Sequence, residues 1–147
     1  MFSTIQALHE AYRGKTTTVK EVVLSCLKRI AEVDAGPEGY NAVAEVNPDV
    51  MQIAEACDRQ VEVGGSWPPL LGVPVLLKDN INTGDKLRTT VGSLALADHY
   101  ASCDAPIVGL LRRAGAVILG KTNMTELLSI PARGRTIAMG FMTRLNL

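Results

Sequence analysis

Val73-Pro-Val-Leu-Leu77, followed directly by Lys78, is the stretch of sequence that decides the fold. A continuous apolar run of this kind is typical of a parallel strand that is covered on both faces. A second run, Ala116-Val-Ile-Leu119, comes after an apolar stripe at helical spacing within residues 107–114. Strand, helix and strand in this order form a βαβ unit. The sequence therefore predicts an α/β fold, in which helices cover both faces of a sheet.

Two capping boxes predict the helices that precede this unit. Ser3 with Gln6 opens a short helix that ends at Gly14, and Thr18 with Glu21 opens a second, longer one. Both segments carry apolar residues at near-helical spacing, as expected of helices that pack on a core.

The remaining elements are marked by turn and cap residues. The β-prone residues 40–46 stop at Asn47 and Pro48, which suit the cap and first position of a third helix that runs to about Val61. Asp104 suits the cap of the helix within the βαβ unit. Residues 82–93, rich in Thr, Gly and Asn, predict a loop, and a last helix is expected from residues 122–123 through 128.

Length and composition exclude several classes of protein. The chain has 147 residues, of which 47% are hydrophobic and 20% charged, so it is not a low-complexity disordered chain. Fifteen basic residues balance fifteen acidic ones, which leaves no basic field for nucleic acid or an anionic membrane. Neither is expected as a partner.

The cysteines and the amino terminus indicate a cellular location. Cys26, Cys57 and Cys103 are odd in number and widely spaced, which argues against a disulfide framework. Residues 1–6 lack a basic segment followed by an apolar one, so no signal peptide is visible. No apolar stretch is long enough to span a bilayer. We expect a cytoplasmic protein.

Residues 115–122, Gly-Ala-Val-Ile-Leu-Gly-Lys-Thr, match the G-x-x-x-x-G-K-[ST] pattern of phosphate-binding loops. That mechanism requires the four variable residues to form an open loop after a strand. Here residues 116–119 are themselves the predicted strand, and a helix precedes them. The segment is therefore interpreted as a buried strand that ends in a polar turn.

Lys78 is the candidate for chemistry, because the carboxyl ends of parallel strands face the ligand-binding edge of a sheet. Two interpretations stay open on the residues alone. Lys78 is either a solvated strand-end lysine paired with Asp79, or a buried lysine whose neutral amine accepts a proton. Structural lysines outnumber catalytic ones, which favours the first. His9, His99, Ser93 and the cysteines have no partners at the spacing of a metal site, a triad or a nucleophile elbow.

Four blocks of sequence resemble the amino-terminal part of the amidase signature family. They are Leu71-Gly-Val-Pro-Val-Leu-Leu-Lys-Asp-Asn-Ile81, Arg88-Thr-Thr-Val-Gly-Ser93, Asp104-Ala-Pro-Ile-Val108 and Leu111-Arg-Arg-Ala-Gly-Ala-Val-Ile-Leu-Gly-Lys-Thr-Asn-Met-Thr-Glu126. The blocks stand in the family's order, and the likeness covers roughly residues 3–128. It implies a mixed sheet with helices on both faces, present here as an amino-terminal part.

The resemblance also implies a mechanism. Amidases of this family hydrolyse carboxylic amides with a serine, a second serine whose preceding peptide is cis, and a lysine, and Lys78 matches that lysine. No metal or organic cofactor is implied. The segment matching Asn123 and Met124 lies near the substrate in this family, although a core or helix-capping role fits these two residues equally well.

The sequence departs from the family at its carboxyl end. The Gly-Gly-Ser-Ser-Gly-Gly signature that carries the bridging serine is absent, and no serine follows Ser129. We expect an amino-terminal amidase part over residues 1–130 and a divergent tail over 131–147, as in a truncated or frameshifted product. Such a chain alone should be inactive, since triad members act as a unit. Unpaired sheet edges should favour self-association.

Three functions remain open at this point. The first is a stand-alone amidase acting on a small-molecule amide, which residues 92–96 and 125–128 favour by their likeness to such enzymes. The second is the A subunit of aminoacyl-tRNA amidotransferase. The third is a non-catalytic interaction fragment.

Overall fold

The computed structural model describes residues 2–125, which form a three-stranded sheet with four α-helices. The elements in chain order are α1 (Ile5–Arg13), α2 (Val19–Val33), β1 (Val43–Val46), α3 (Val50–Val63), β2 (Pro74–Lys78), a short 3-10 helix (Leu94–Leu96), α4 (Pro106–Arg113) and β3 (Val117–Thr122).

The sheet is mixed, with strand order β1-β3-β2. Strands β2 and β3 are parallel and are joined through α4, which confirms the predicted βαβ unit. Strand β1 runs antiparallel to β3 on its other side. The register places Lys78, the last residue of β2, opposite Thr122, the last residue of β3. The two parallel strands therefore end side by side.

Both faces of the sheet are covered, as the apolar runs predicted. Val117 and Leu119 of β3 pack against residues of α1, α2 and α3, including Val23 and Ala54. Ile118 points to the opposite face, where it packs with Val108 of α4 and with Leu87. The alternation follows from the period of two in a strand. The α/β fold with helices on both faces is confirmed.

The helix caps agree with the sequence only in part. Thr18 and Glu21 form the predicted capping box of α2. At α1 the prediction was wrong by one residue, because Thr4 rather than Ser3 is the cap and accepts the amide of Ala7 at 3.0 Å.

Two further caps differ from the prediction. The cap of α3 is Asp49 rather than Asn47. Oδ1 of Asn47 accepts the amide of Asp49 at 2.9 Å, just before the helix, while Nδ2 of Asn47 donates to the carbonyl of Ile118 at 2.9 Å. Asp104 does not cap α4, which begins at Pro106 after Ala105. The carboxylate of Asp104 is instead engaged by the Gly84 amide and by Arg112.

The carboxyl-terminal predictions lie mostly outside the described residues. Residues 123–125 are not helical, and the rest of the helix expected through residue 128, like the tail 131–147, cannot be compared with the structure. Within residues 2–125, no helix is long and apolar enough to cross a membrane.

Candidate active site

Lys78 lies at the carboxyl edge of the sheet, at the end of the half-buried strand β2. Its side chain is exposed, and among residues 2–125 no hydrogen bond or ion pair engages its ammonium. The solvated interpretation therefore describes its environment within this part of the chain. The amine is available for a further partner or ligand at this edge.

The pairing of Lys78 with Asp79 is not observed, and that part of the interpretation was wrong. Asp79 is only 3% exposed, and its carboxylate accepts the backbone amide of Thr90 at 3.1 Å and the Thr90 hydroxyl. Consecutive side chains at a strand end point to opposite sides. Asp79 consequently turns into the protein while Lys78 turns out of it.

The turn after Thr90 is held against the same strand end. The amide of Val91 donates to the carbonyl of Asp79 at 3.2 Å, and the amide of Gly92 donates to the Thr90 hydroxyl at 3.2 Å. Val91 has φ = 54° and Gly92 φ = 68°. A left-handed conformation is unfavourable for a β-branched residue. Surrounding bonds, including those to Asp79, must therefore enforce it at Val91.

Lys121 is a second lysine at this edge, and sequence reasoning missed its role. Its side chain is fully buried in β3, and the ammonium donates to the carbonyls of Ile81 (2.8 Å) and Arg88 (2.9 Å) and to Oγ1 of Thr89 (3.1 Å). Three acceptors match the three hydrogens of an ammonium. Burial lowers the pKa of Lys121, while the carboxylate of Asp79 opposes that shift.

The contacts of Lys121 agree with the interpretation that residues 115–122 do not form a phosphate-binding loop. Val117, Ile118 and Leu119 belong to β3, and Lys121 is committed to three protein oxygens. No open loop of amides is present at residues 116–119 to surround a phosphate. The polar turn expected after residue 119 was wrong, because Gly120, Lys121 and Thr122 continue β3. A lysine at the end of an apolar run was the available signal for a buried structural cation.

Ion pairs hold the rest of the loop that follows Lys78. Arg88 pairs with Glu45 of β1 at 3.2 Å, and both side chains are largely buried. Arg112 of α4 pairs with Asp85 and, at 3.0 Å, with Asp104. The residues predicted as an irregular loop thus form a segment fixed to β1, β3 and α4.

A cleft of about 280 Å³ lies beside this strand end. Asp79, Thr90 and Asn123 contribute to its lining, as do residues of β1 and of the turn after α2. The Asn123 amide donates to the carbonyl of Ala42 at 2.8 Å, and its side chain donates to the carbonyl of Asn41. Asn123 therefore tethers β1 and faces the cleft, whereas Met124 is half-buried and does not line it.

The other candidate groups have structural surroundings. Nε2 of the buried His9 donates to the carbonyl of Leu71 at 3.0 Å. Burial raises the pKa of the Cys26 and Cys57 thiols, which disfavours reactive thiolates. Within the described part of the chain, no group of three or more His, Cys, Asp or Glu residues is arranged to hold a metal ion.

Comparison with known proteins identifies the family to which the chain is similar. Residues 21–137 match the family described as Amidase. The chain is 42% identical to a probable amidase of Arabidopsis thaliana, over 84% of this chain and 24% of that protein. It is 38% identical to the A subunit of the glutamyl-tRNA(Gln) amidotransferase of Geobacter sulfurreducens, over 93% of this chain and 27% of that protein.

Solved structures agree with the sequence comparison. The peptide amidase of Stenotrophomonas maltophilia superposes with a TM-score of 0.78 at 40% identity, over 84% of this chain and 25% of that one. An amidase family protein of Bacillus anthracis gives a TM-score of 0.79 at 34% identity, over 84% of this chain and 24% of that one. The chain thus spans about a quarter of the length of the relatives it matches.

Proposed function

Because this chain belongs to the amidase family, we propose that it is the amino-terminal part of an enzyme that hydrolyses carboxylic amides, with Lys78 as its catalytic lysine. The observation that carries the proposal is the position of Lys78 within the matched region. It stands at the carboxyl end of a parallel strand, where ligands bind in open α/β sheets, and its amine is not committed to another described residue. Lys121, the other lysine at this edge, is fully committed.

The proposed mechanism assigns Lys78 the role of base. Its neutral amine takes a proton from the bridging serine, which in turn takes one from the nucleophilic serine as that oxygen attacks the amide carbon. Backbone amides stabilise the oxyanion, and the nitrogen leaves with a proton returned along the same path. Water then hydrolyses the acyl-enzyme. Lys78 binds no metal or organic cofactor in this scheme.

The groups that complete this site must come from outside these residues. The sequence contains no Gly-Gly-Ser-Ser-Gly-Gly segment, and therefore no match to the bridging serine. A neutral lysine also requires desolvation, and Lys78 is exposed here. We propose that the remaining three quarters of an amidase domain supply the serines and cover Lys78. A polypeptide of these 147 residues alone should be inactive.

A chimera tests the proposal. Residues 3–125 of this chain replace the corresponding quarter of the S. maltophilia peptide amidase, to which they are 40% identical, and hydrolysis of a peptide amide is measured. The chimera should be active, and Lys78→Met should abolish activity. The matched control is Lys28→Met, which removes an exposed lysine from the surface of α2. Activity retained by the Lys78→Met chimera would contradict the assignment.

A second candidate is the A subunit of an aminoacyl-tRNA amidotransferase, which the 38% identity over 93% of this chain favours. We place the stand-alone amidase first because the identity to such an amidase reaches 42%. Glutamine-dependent transamidation that requires partner subunits would favour the second candidate. A chain that binds a complementary amidase part without restoring hydrolysis would favour the non-catalytic fragment.

The proposed partner is a small-molecule amide, and the proposed location is the cytoplasm. All three cysteines, Cys26, Cys57 and Cys103, are free in the structure. Free thiols are typical of a reducing compartment, which supports that location.

A further inference from the structure

We propose that Asp79 is a positioning residue for Lys78, because its buried carboxylate anchors the strand end and thereby fixes the direction in which Lys78 leaves the sheet. The inference rests on the proposed function of Lys78. It adds to that function a second residue, which touches neither substrate nor reacting atoms.

Asp79 is held at four points. Its amide donates to the carbonyl of Thr122 at 3.2 Å, and its carbonyl accepts the amide of Val91 at 3.2 Å. One carboxylate oxygen accepts the Thr90 amide at 3.1 Å, and the other accepts the Thr90 hydroxyl. Both backbone polar groups and both carboxylate oxygens are therefore engaged. The residue next to Lys78 has little freedom to rotate.

This anchoring determines where Lys78 points. The backbone of Lys78 is held on both sides. Lys78 stands opposite Thr122 in the ladder with β3, and the fixed residue Asp79 follows it directly. Because consecutive side chains alternate, a carboxylate held inward requires the lysine to project outward at the ligand-binding edge. Loss of the anchor would let the strand end fray and the amine move. A displacement of about 1 Å at a reacting group can cost about 100-fold in rate.

A carboxylate suits this role better than a neutral group. The carboxylate offers two oxygens to the two donors of Thr90, whereas an amide offers one oxygen. The buried ammonium of Lys121 faces the same region and compensates the negative charge. Asp104, another carboxylate between β2 and α4, accepts the Gly84 amide at 2.8 Å and the Arg112 guanidinium at 3.0 Å, but it is remote in sequence from the strand end. It provides a matched control.

The catalytic test uses the chimera with four variants. Asp79→Ala should lower kcat by about 30- to 100-fold with KM changed less than about threefold. Asp79→Asn, which retains one acceptor, should recover part of that loss. Thr90→Val, which removes only the hydroxyl, should lower kcat by about fivefold. Asp104→Ala should leave kcat within about threefold.

The outcomes separate this inference from the proposed function. If Lys78→Met is inactive while Asp79→Ala matches Asp104→Ala in kcat, Asp79 is a structural anchor only and the inference is overturned. If Lys78→Met is active, the proposed function itself fails. If Asp79→Ala does not fold, the kcat of Thr90→Val still tests the inference.

Hydrogen exchange of the 147-residue chain tests the anchoring without catalysis. The Val91 amide, which donates to Asp79, should exchange at least about tenfold faster in Asp79→Ala and in Thr90→Val than in Asp104→Ala. Unchanged exchange at Val91 in both variants would overturn the inference.

Discussion

Replacing the buried Lys121 by methionine should destabilise the chain by about 2–4 kcal/mol. The substitution nearly preserves side-chain length but removes all three donated hydrogen bonds. Each buried acceptor left without a donor costs about 1–3 kcal/mol, so the three acceptors cost about 3–9 kcal/mol together. Part of this loss of stability is offset, because the substitution removes a buried charge and with it a desolvation penalty of several kcal/mol. The net effect should lower Tm by about 6–13 °C for a domain of this size.

The assay is denaturant unfolding followed by circular dichroism, with Lys86→Met as the control. Lys86 carries the same group in the neighbouring loop, but its side chain is 68% exposed in an ion pair with Asp49. Exposed pairs contribute about 0–1 kcal/mol, so this control should change stability little. Stability of Lys121→Met within about 0.5 kcal/mol of the unsubstituted chain would refute the reasoning.

The direction of the Lys121 pKa shift can be tested through the pH dependence of stability in the unsubstituted chain and in Lys121→Met. Burial lowers the folded-state pKa of Lys121 below its usual 10.5. Between those two values the unfolded chain binds the proton more tightly, so the contribution of Lys121 to stability rises with pH. The stability difference between the unsubstituted chain and Lys121→Met should therefore widen as pH rises through that window and narrow as it falls. A difference that shrinks towards alkaline pH would contradict the lowered pKa.

Three further predictions concern the whole chain. The purified 147-residue polypeptide should release no ammonia from a peptide amide, and hydrolysis that disappears in Lys78→Met would contradict this. We propose that the outer edges of β1 and β2, which pair with no other strand within residues 2–125, cause self-association. Light scattering should show mass rising with concentration, and Ala44→Pro on β1 should reduce that rise. A concentration-independent monomer would argue against edge pairing. Gly72→Ala should lower the free energy of unfolding by about 2–4 kcal/mol, because φ is +72° and a Cβ would lie 2.6 Å from Cγ2 of Val19. Chemical denaturation measures this loss, and an unchanged unfolding midpoint would contradict the prediction.

The fold was predictable from sequence where one periodicity dominated. The apolar runs 73–77 and 116–119 sufficed for the parallel strand pair, because continuous apolar runs are typical of strands covered on both faces. Residues 116–119 are all buried, whereas residues 73–76 are half-buried. The Thr18–Glu21 capping box was predicted correctly because both of its hydrogen bonds join these two nearby residues. Asp104 is not a cap because its carboxylate accepts the distant Gly84 amide, which local spacing cannot reveal. Asn47 accepts the Asp49 amide, but the helix begins two residues later than expected for such a cap.

The site was predictable in position but not in its contacts. The prediction that a strand ends at Lys78 placed that residue at the ligand-binding edge of the sheet. The register agrees, because Lys78 stands opposite the last residue of β3. The partner of Asp79 is Thr90, in a loop eleven residues away, so adjacency to Lys78 suggested the wrong pairing. Lys121 was overlooked because its three acceptors come together only when the loop folds over β3.

The central claim is that the amine of Lys78 performs the chemistry, and restoring that amine chemically tests it most directly. In the chimera, Lys78→Cys should be inactive, and S-aminoethylation, which rebuilds a lysine-length amine at that position, should restore a substantial share of kcat. The same treatment of a Lys28→Cys chimera should leave its activity unchanged and thereby controls for modification of Cys26, Cys57 and Cys103. Full activity of Lys78→Cys before treatment, or no recovery after complete aminoethylation, would contradict the account.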